Sequence, residues 1–454
     1  MTIARQLVRK WREAPALPDA VAQLAKMHLL DSIGVGLAAS RQPAGEAYRR
    51  LSADLSHDGP ASIFGASTGA ATAEAALING GLIHSLEYDD THTGSIAHGS
   101  SVMTASALAV AESAGASGSD MLRAYVLGWE TLIRIGKAAP GSFQACGFQV
   151  TSVGGSLVSA LIAADLGKLD DERMLAALGI ALSQASGVFE FLSNGSTVKS
   201  LHPGWAAHSG VMAASLAKSG LTGPETAFEG RFGLFRSFAR DADGADRFTS
   251  GVESLGQQWQ LMEAAFKFHP CCHYIHPFIE AAVRLQTLGV KSADVDQLVL
   301  HVPEGASGVI CEPWEEKLTA ASGHAMRWSL PLVFASQMIH GKVGLETFNQ
   351  PPERDVFDFA RRISWRPMRD ARFPERFEAE ALCKLRSGED HRVRIDDAFG
   401  NASRPPAYGE VLKKFRTNVS CIVQADRADA LASEIMAIDR SNSLKPIGQL
   451  LRCR

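Results

Sequence analysis

The first 265 residues hold no long stretch in which polar and apolar residues alternate, and this constrains the fold more than any other feature. A half-buried strand needs a period of two, whereas a core-facing helix needs apolar residues three and four apart. The helical spacing recurs here, as Val21, Leu24, Met27, Leu30 and Ile33, and again as Leu122, Tyr125, Val126 and Trp129. Segments 18–39, 72–86, 102–114, 121–136, 152–166, 170–186 and 202–219 are therefore expected to be helices. Pro18 suits an early helical position, and Asp170, Asp171 and Glu172 place negative charge at the positive end of a helix. Many residues in these segments are Ala and Gly, which let helices pack closely. The opening residues are amphipathic and charged and lack the apolar core of a secretory signal, so they are read as the first helix of a cytoplasmic protein.

The character changes after Lys267. Residues 294–302 alternate as a half-buried strand does, 362–366 and 380–386 are strand-like, and 391–395 follows a Ser-Gly-Glu-Asp turn. Residues 329–339, 409–415 and 427–438 return to helical spacing. The expected fold class is mainly α, with a large all-helical domain over 1–267 and 405–454 and a smaller α+β lid domain over 268–404.

Composition excludes several classes. Of 454 residues, 46% are hydrophobic and 21% charged, ordinary values for a globular protein, and the formal net charge of −4 gives no basic field for nucleic acid. No apolar run is long enough to span a bilayer. The cysteine number, seven, is odd, and no CxxC pair occurs, which argues for reduced thiols over a disulfide framework.

The chemistry concentrates in 87–98, where Glu87, Asp89, Asp90, His92 and His98 fall between two apolar helical segments. A loop holding acids next to histidines suits general acid/base work. The same residues would suit a solvated turn with caps for the next helix. Lys199 and His202 form a basic turn before a helix, where Lys199 could meet a carboxylate or lie idle on the surface. Lys267, His269, Cys271, Cys272, His273 and His276 make the densest Cys/His cluster in the chain. It is not read as a metal site, because zinc sites use separated ligand pairs and adjacent residues rarely turn both side chains onto one ion. Gln149 lies in a polar glycine-bearing loop that matches neither GxGxxG nor GxxxxGK[ST]. Arg327 could clamp an anion or lie on the surface. Neither a GxSxG elbow nor an HExxH pair is present.

Several of these stretches together resemble the MmgE/PrpD family. Leu30-Asp-Ser-Ile-Gly-Val-Gly36 looks like its N-terminal helix, and Tyr88-Asp-Asp-Thr91 with His98-Gly99 resembles its acidic signature. Lys199-Ser-Leu-His-Pro-Gly204 is similar to its K-x-L-H-x-G loop, Lys267 to Pro277 to its Cys/His motif, and Arg327-Trp-Ser-Leu-Pro331 to its (R/Q)-F-S-x-P stretch. The resemblance implies a homodimer with its active site in a cleft between an all-helical domain and an α+β lid, and no metal or organic cofactor. By position, Glu87 falls where a catalytic Asp often stands, His98 matches an acid/base histidine, Lys199 and Lys267 match substrate-carboxylate contacts, and Cys272 takes the place of a histidine in some members. Asp89, Asp90 and His269 join the catalytic candidates, and Thr91, Gln149, His202, His276 and Arg327 the substrate-binding ones. Two departures stand out. Gln149 replaces a histidine common in the family and cannot shuttle a proton, and His269 stands where Tyr or Phe is usual.

The chemistry this implies is removal of a proton α to a carboxylate of a small di- or tricarboxylic acid, with cationic groups holding the developing charge. The first expectation is a cofactor-free hydro-lyase like 2-methylcitrate dehydratase. The alternatives are an iminodisuccinate-like epimerase, a cis-aconitate-like decarboxylase, a non-catalytic anion-binding relative, or a metal-dependent enzyme.

Overall fold

The computed structural model describes residues 1–453 except 56, 194 and 321. The chain forms two units. One comprises Met1–Ser85, Asp89–Ala264 and the segment from Ala407 onward, and the other Leu86–Tyr88 with Ala265–Pro406.

The larger unit is built from the helices Asp19–Ala39, Thr72–Ser85, Gly99–Ala114, Gly118–Ala138, Val150–Leu166, Asp171–Gln184 and Leu201–Lys218, joined from the far end of the sequence by Tyr408–Val419 and Ala425–Met436. Val150–Leu166 is buried along almost its whole length, as expected of a helix that is apolar or small on every side. A two-stranded ribbon, Ala61–Ser62 against Gly69–Ala70, departs from the all-helical expectation. It is too short to have shown as alternation in the sequence.

Glycine sets one close crossing. A Cβ on Gly80 would lie 2.7 Å from the Gly204 Cα, and one on Gly204 would lie 2.3 Å from the Leu77 carbonyl oxygen. Any side chain would push the two helices apart, because close-packed interiors do not yield. The contact fixes His84, one turn beyond Gly80, and His202, two residues before Gly204. The returning Tyr408–Val419 helix is locked in by Lys414, whose Nζ lies 2.7 Å from an Asp31 carboxylate oxygen with both side chains buried. Burial pushes both toward neutrality, raising Asp31 to about 6 and lowering Lys414.

The smaller unit carries a four-stranded mixed sheet in the order Ile363–Met368, Val295–Pro303, Ala379–Leu385, Asp390–Ile395. Val295–Pro303 runs parallel to the first strand, with Leu298 opposite Ile363, and antiparallel to the third, with Leu298 opposite Cys383. Leu298, Leu300 and Val302 are buried at the period of two that the sequence displayed. Helices His276–Thr287 and Leu330–His340 complete the core with them. Among the described residues no helix is long and apolar enough to cross a membrane.

Candidate active site

In the larger unit the polar loop after Thr72–Ser85 is pinned before it reaches the next helix. His92 Nδ1 accepts from the Ser95 N–H at 3.1 Å, which puts the ring proton on Nε2, 3.3 Å from Glu263. Ile96 has φ 54°, a left-handed conformation that β-branched residues avoid. Gly99 follows at the start of the next helix, and a Cβ there would lie 2.5 Å from the Trp129 ring. The C-terminal part of the loop is therefore held in place, with Ile96 against its own backbone preference.

Within it, the Asp90 carboxylate faces His28 Nδ1 at 2.7 Å and accepts from the Ser100 N–H at 3.1 Å and from the Ser100 hydroxyl. It anchors the loop. Asp89 points elsewhere. One of its oxygens lies 2.8 Å from His84 Nδ1 and 3.9 Å from His98 Nδ1. His98 Nδ1 also lies 3.0 Å from the Asp90 carbonyl oxygen and 3.3 Å from Thr91 Oγ1. A carbonyl only accepts, so Nδ1 of His98 carries the proton of the neutral ring and proton exchange runs through Nε2. The His84 and His98 rings meet edge to face with centroids 4.8 Å apart.

Nearby, His202 Nδ1 donates to Gln149 Oε1 at 2.5 Å. Burial above all, with the Lys199 cation adding to it, pushes His202 down to about 4, so its ring is neutral at pH 7. Lys199 is buried in the turn before Leu201–Lys218, not idle on the surface.

His84, Asp89 and His98 bring three ligand-type atoms within 4.8 Å of one another. The proton that the Asp90 carbonyl places on His98 Nδ1 makes that nitrogen a donor rather than a ligand, so these residues fit a hydrogen-bonded relay better than a cation site.

The smaller unit is different in kind. Arg327 is buried, and its Nη1 donates to the carbonyls of Leu86 and Pro270, each at 2.5 Å. Its guanidinium sits 4.7 Å from the centroid of the Phe348 ring. Burial lowers its pKa to about 10, with Glu87 and Cys271 opposing. Lys267 Nζ donates to the Glu87 carbonyl at 3.1 Å and lies 3.7 Å from the Glu87 carboxylate. The Tyr88 hydroxyl donates to the Phe268 carbonyl at 3.2 Å. Residues 86–88 are thus stapled by three side-chain contacts, at a place where Glu87 itself has φ 52°. His269 Nδ1 donates to the Val343 carbonyl at 3.2 Å. The rings of His269, His276 and His273 form an edge-to-face chain with successive centroids 5.2 and 4.8 Å apart. Cys272 and Cys271 are buried, and burial pushes the Cys271 thiol up.

The sequence candidates therefore sort into two groups. Asp89, Thr91, His98, Gln149, Lys199 and His202 belong to the larger unit, and Glu87, Lys267, His269, Cys272, His276 and Arg327 to the smaller. The surface alternative for Arg327 is overturned by its burial, and its fork holds main-chain carbonyls. Asp90, taken from the sequence as a catalytic acid, has the geometry of an anchor. His84 was missed, and so was His28. Their signal was a histidine on a largely apolar helix, with His84 five residues before Asp89.

Residues 12–245 match the MmgE/PrpD N-terminal domain and residues 269–439 the MmgE/PrpD C-terminal domain. Three curated relatives align along 96% of this chain. A cis-aconitate decarboxylase of Aspergillus terreus is 26% identical with 93% of its own length covered. The cis-aconitate decarboxylase-like protein oryM of Aspergillus oryzae is 28% identical with 94% covered. The cis-aconitate decarboxylase of Homo sapiens is 25% identical with 91% covered. With both domain matches in sequence order, the chain belongs to the MmgE/PrpD family.

Proposed function

We propose that this chain is a lyase that decarboxylates a small unsaturated tricarboxylic acid of the cis-aconitate kind. The observation that carries the reading is His98, an imidazole whose tautomer is fixed by the Asp90 carbonyl and which has the Asp89 carboxylate 3.9 Å away. The names of the relatives favour decarboxylation over the dehydration that the sequence reading put first.

The chemistry requires one proton donor. The bond from the methylene carbon to its carboxylate breaks and carbon dioxide leaves. The freed pair forms a double bond to the adjacent carbon, and the former double-bond pair moves to the far alkene carbon. The carboxylate on that carbon spreads the charge, so the substrate is its own electron sink and no cofactor is invoked. His98 Nε2 then delivers a proton to that carbon. Lys199 serves as a cation that neutralises a substrate carboxylate. Dehydration or epimerisation would need a second group transferring a proton. In the larger unit His202 is a poor candidate, because at about 4 it neither gives nor takes a proton readily near pH 7.

Mass-spectrometric measurement of carbon dioxide and organic products tests the reading, with purified protein given cis-aconitate, 2-methylcitrate and iminodisuccinate in turn. Stoichiometric carbon dioxide from cis-aconitate is expected. Turnover of either other acid without carbon dioxide would replace the reading with hydro-lyase or epimerase. A homodimer is expected as well, and light scattering reads it.

A further inference from the structure

We propose that His84 is a positioning residue: with Asp89 it forms a carboxylate–imidazole pair that keeps His98 in its proton-bearing form. The inference rests on the reading of His98 as the proton donor. It concerns a residue for which neither the motifs nor the relatives assign a role.

Geometry supports it from three sides. Asp89 is fully buried, and His84 Nδ1 lies 2.8 Å from its carboxylate. A buried carboxylate stays ionised only where such donors face it. His84 Nε2 is buried and makes no hydrogen bond among the described residues. Burying a bare lone pair costs less than burying an unpartnered N–H of an imidazolium. The lower-cost arrangement is a neutral His84 giving its one proton to a charged Asp89. Finally, the same Asp89 oxygen lies 3.9 Å from His98 Nδ1, and the two imidazoles touch edge to face. A full negative charge at that distance favours the imidazolium of His98.

Other charged and titratable groups face this corner as well. Asp90 stands on the loop with His28 behind it, and His202 and Lys199 stand at the start of the Leu201–Lys218 helix. Lys199, a cation, opposes Asp89, and Asp90 is engaged by His28 and Ser100. Asp89 is thus a carboxylate whose charge reaches His98 at 3.9 Å, and His84 orients it. The Gly80–Gly204 crossing holds His84 in place from behind.

The test uses the full chain labelled with ring-carbon-13 histidine. The His98 signal is assigned by its loss in His98→Gln, and its titration is followed by NMR in wild type, His84→Asn and His84→Ala. Asn places an N–H where Nδ1 was, so it keeps the donor to Asp89 and removes only the titrating ring. Ala removes both. The expected result is a His98 midpoint close to wild type in His84→Asn and at least one pH unit lower in His84→Ala. In rate measurements kcat near pH 7 should fall roughly tenfold or more in His84→Ala, with KM little changed and the limb of the pH profile that reports His98 moved to lower pH. His84→Asn should recover most of the rate. An unchanged His98 midpoint in His84→Ala overturns the proposal, and so does a His84→Asn as impaired as His84→Ala with no shift in the profile. If His84→Ala does not fold, a His98 midpoint in His84→Asn lowered by a unit or more overturns it, and one close to wild type supports it. The NMR arm needs no substrate, so it stands or falls separately from the decarboxylase reading.

Discussion

The loop of the larger unit and the staple of the smaller unit carry the same kinds of residues and use them in opposite ways. Around His98 the polar groups are titratable and their protons are specified. Nδ1 of His98 faces the Asp90 carbonyl, Asp89 faces two imidazoles, and His202 is held neutral by burial beside Gln149. Around Glu87 the main actors are cations aimed at backbone, with Arg327 on the Leu86 and Pro270 carbonyls and Lys267 on the Glu87 carbonyl. One cluster fixes where protons sit on its rings, and the other holds a strained turn. A motif that contains Arg, Lys and carboxylates does not reveal which of these it does, because the carbonyls that take up the donors are invisible in sequence.

The sharpest way to break this contrast is His98→Gln, which should lower kcat roughly 10²–10⁴-fold, the usual worth of a positioned acid, with no change in melting temperature. A near-normal rate would remove proton transfer from the loop. Next, Arg327→Met should strip donors from two buried carbonyls, at about 1–3 kcal/mol each, and appear as a lower denaturant midpoint. Unchanged stability with a KM raised by orders of magnitude would instead make Arg327 a substrate clamp. A third effect is on pH. Folded His202 binds its proton only near 4, whereas an unfolded chain binds it near 6.5. The unfolded state therefore carries more protons between those values, and stability should fall as pH drops from about 6.5 to 4, by about 3 kcal/mol at most. Chemical denaturation of wild type and His202→Gln across that window checks this, since the variant should lose that part of the slope. The smallest effect expected is Gly204→Ala, at about 1–3 kcal/mol for overpacking, accompanied by a shifted His202 resonance.

Much of the fold was legible because its periods are clean. The apolar spacing in 18–39 became Asp19–Ala39, and the alternation in 294–302 became Val295–Pro303. The Ser-Gly-Glu-Asp turn joins two paired strands, with Gly388 at φ 92°. The ribbon at Ala61–Ser62 was not legible, since two residues carry no period. In the site, the cluster of acids and histidines in 87–98 was visible, but the division of labour among its acids was not. Asp89 and Asp90 are adjacent and chemically identical, and only the partners separate them, His84 for one and His28 with Ser100 for the other. Those partners lie on other helices, brought in by glycine contacts such as Gly80 with Gly204. Long-range packing decides that, and no local pattern records it.

The most direct test of the central claim is proton NMR of the protein turning over cis-aconitate in deuterated buffer. Proton delivery to the far alkene carbon predicts a product with a terminal methylene group bearing two protons and a single deuterium on the saturated carbon, formed with loss of carbon dioxide. A hydrated tricarboxylic acid, or deuterium in the substrate with all carboxylates retained, would contradict it and move the chain to hydro-lyase or epimerase chemistry.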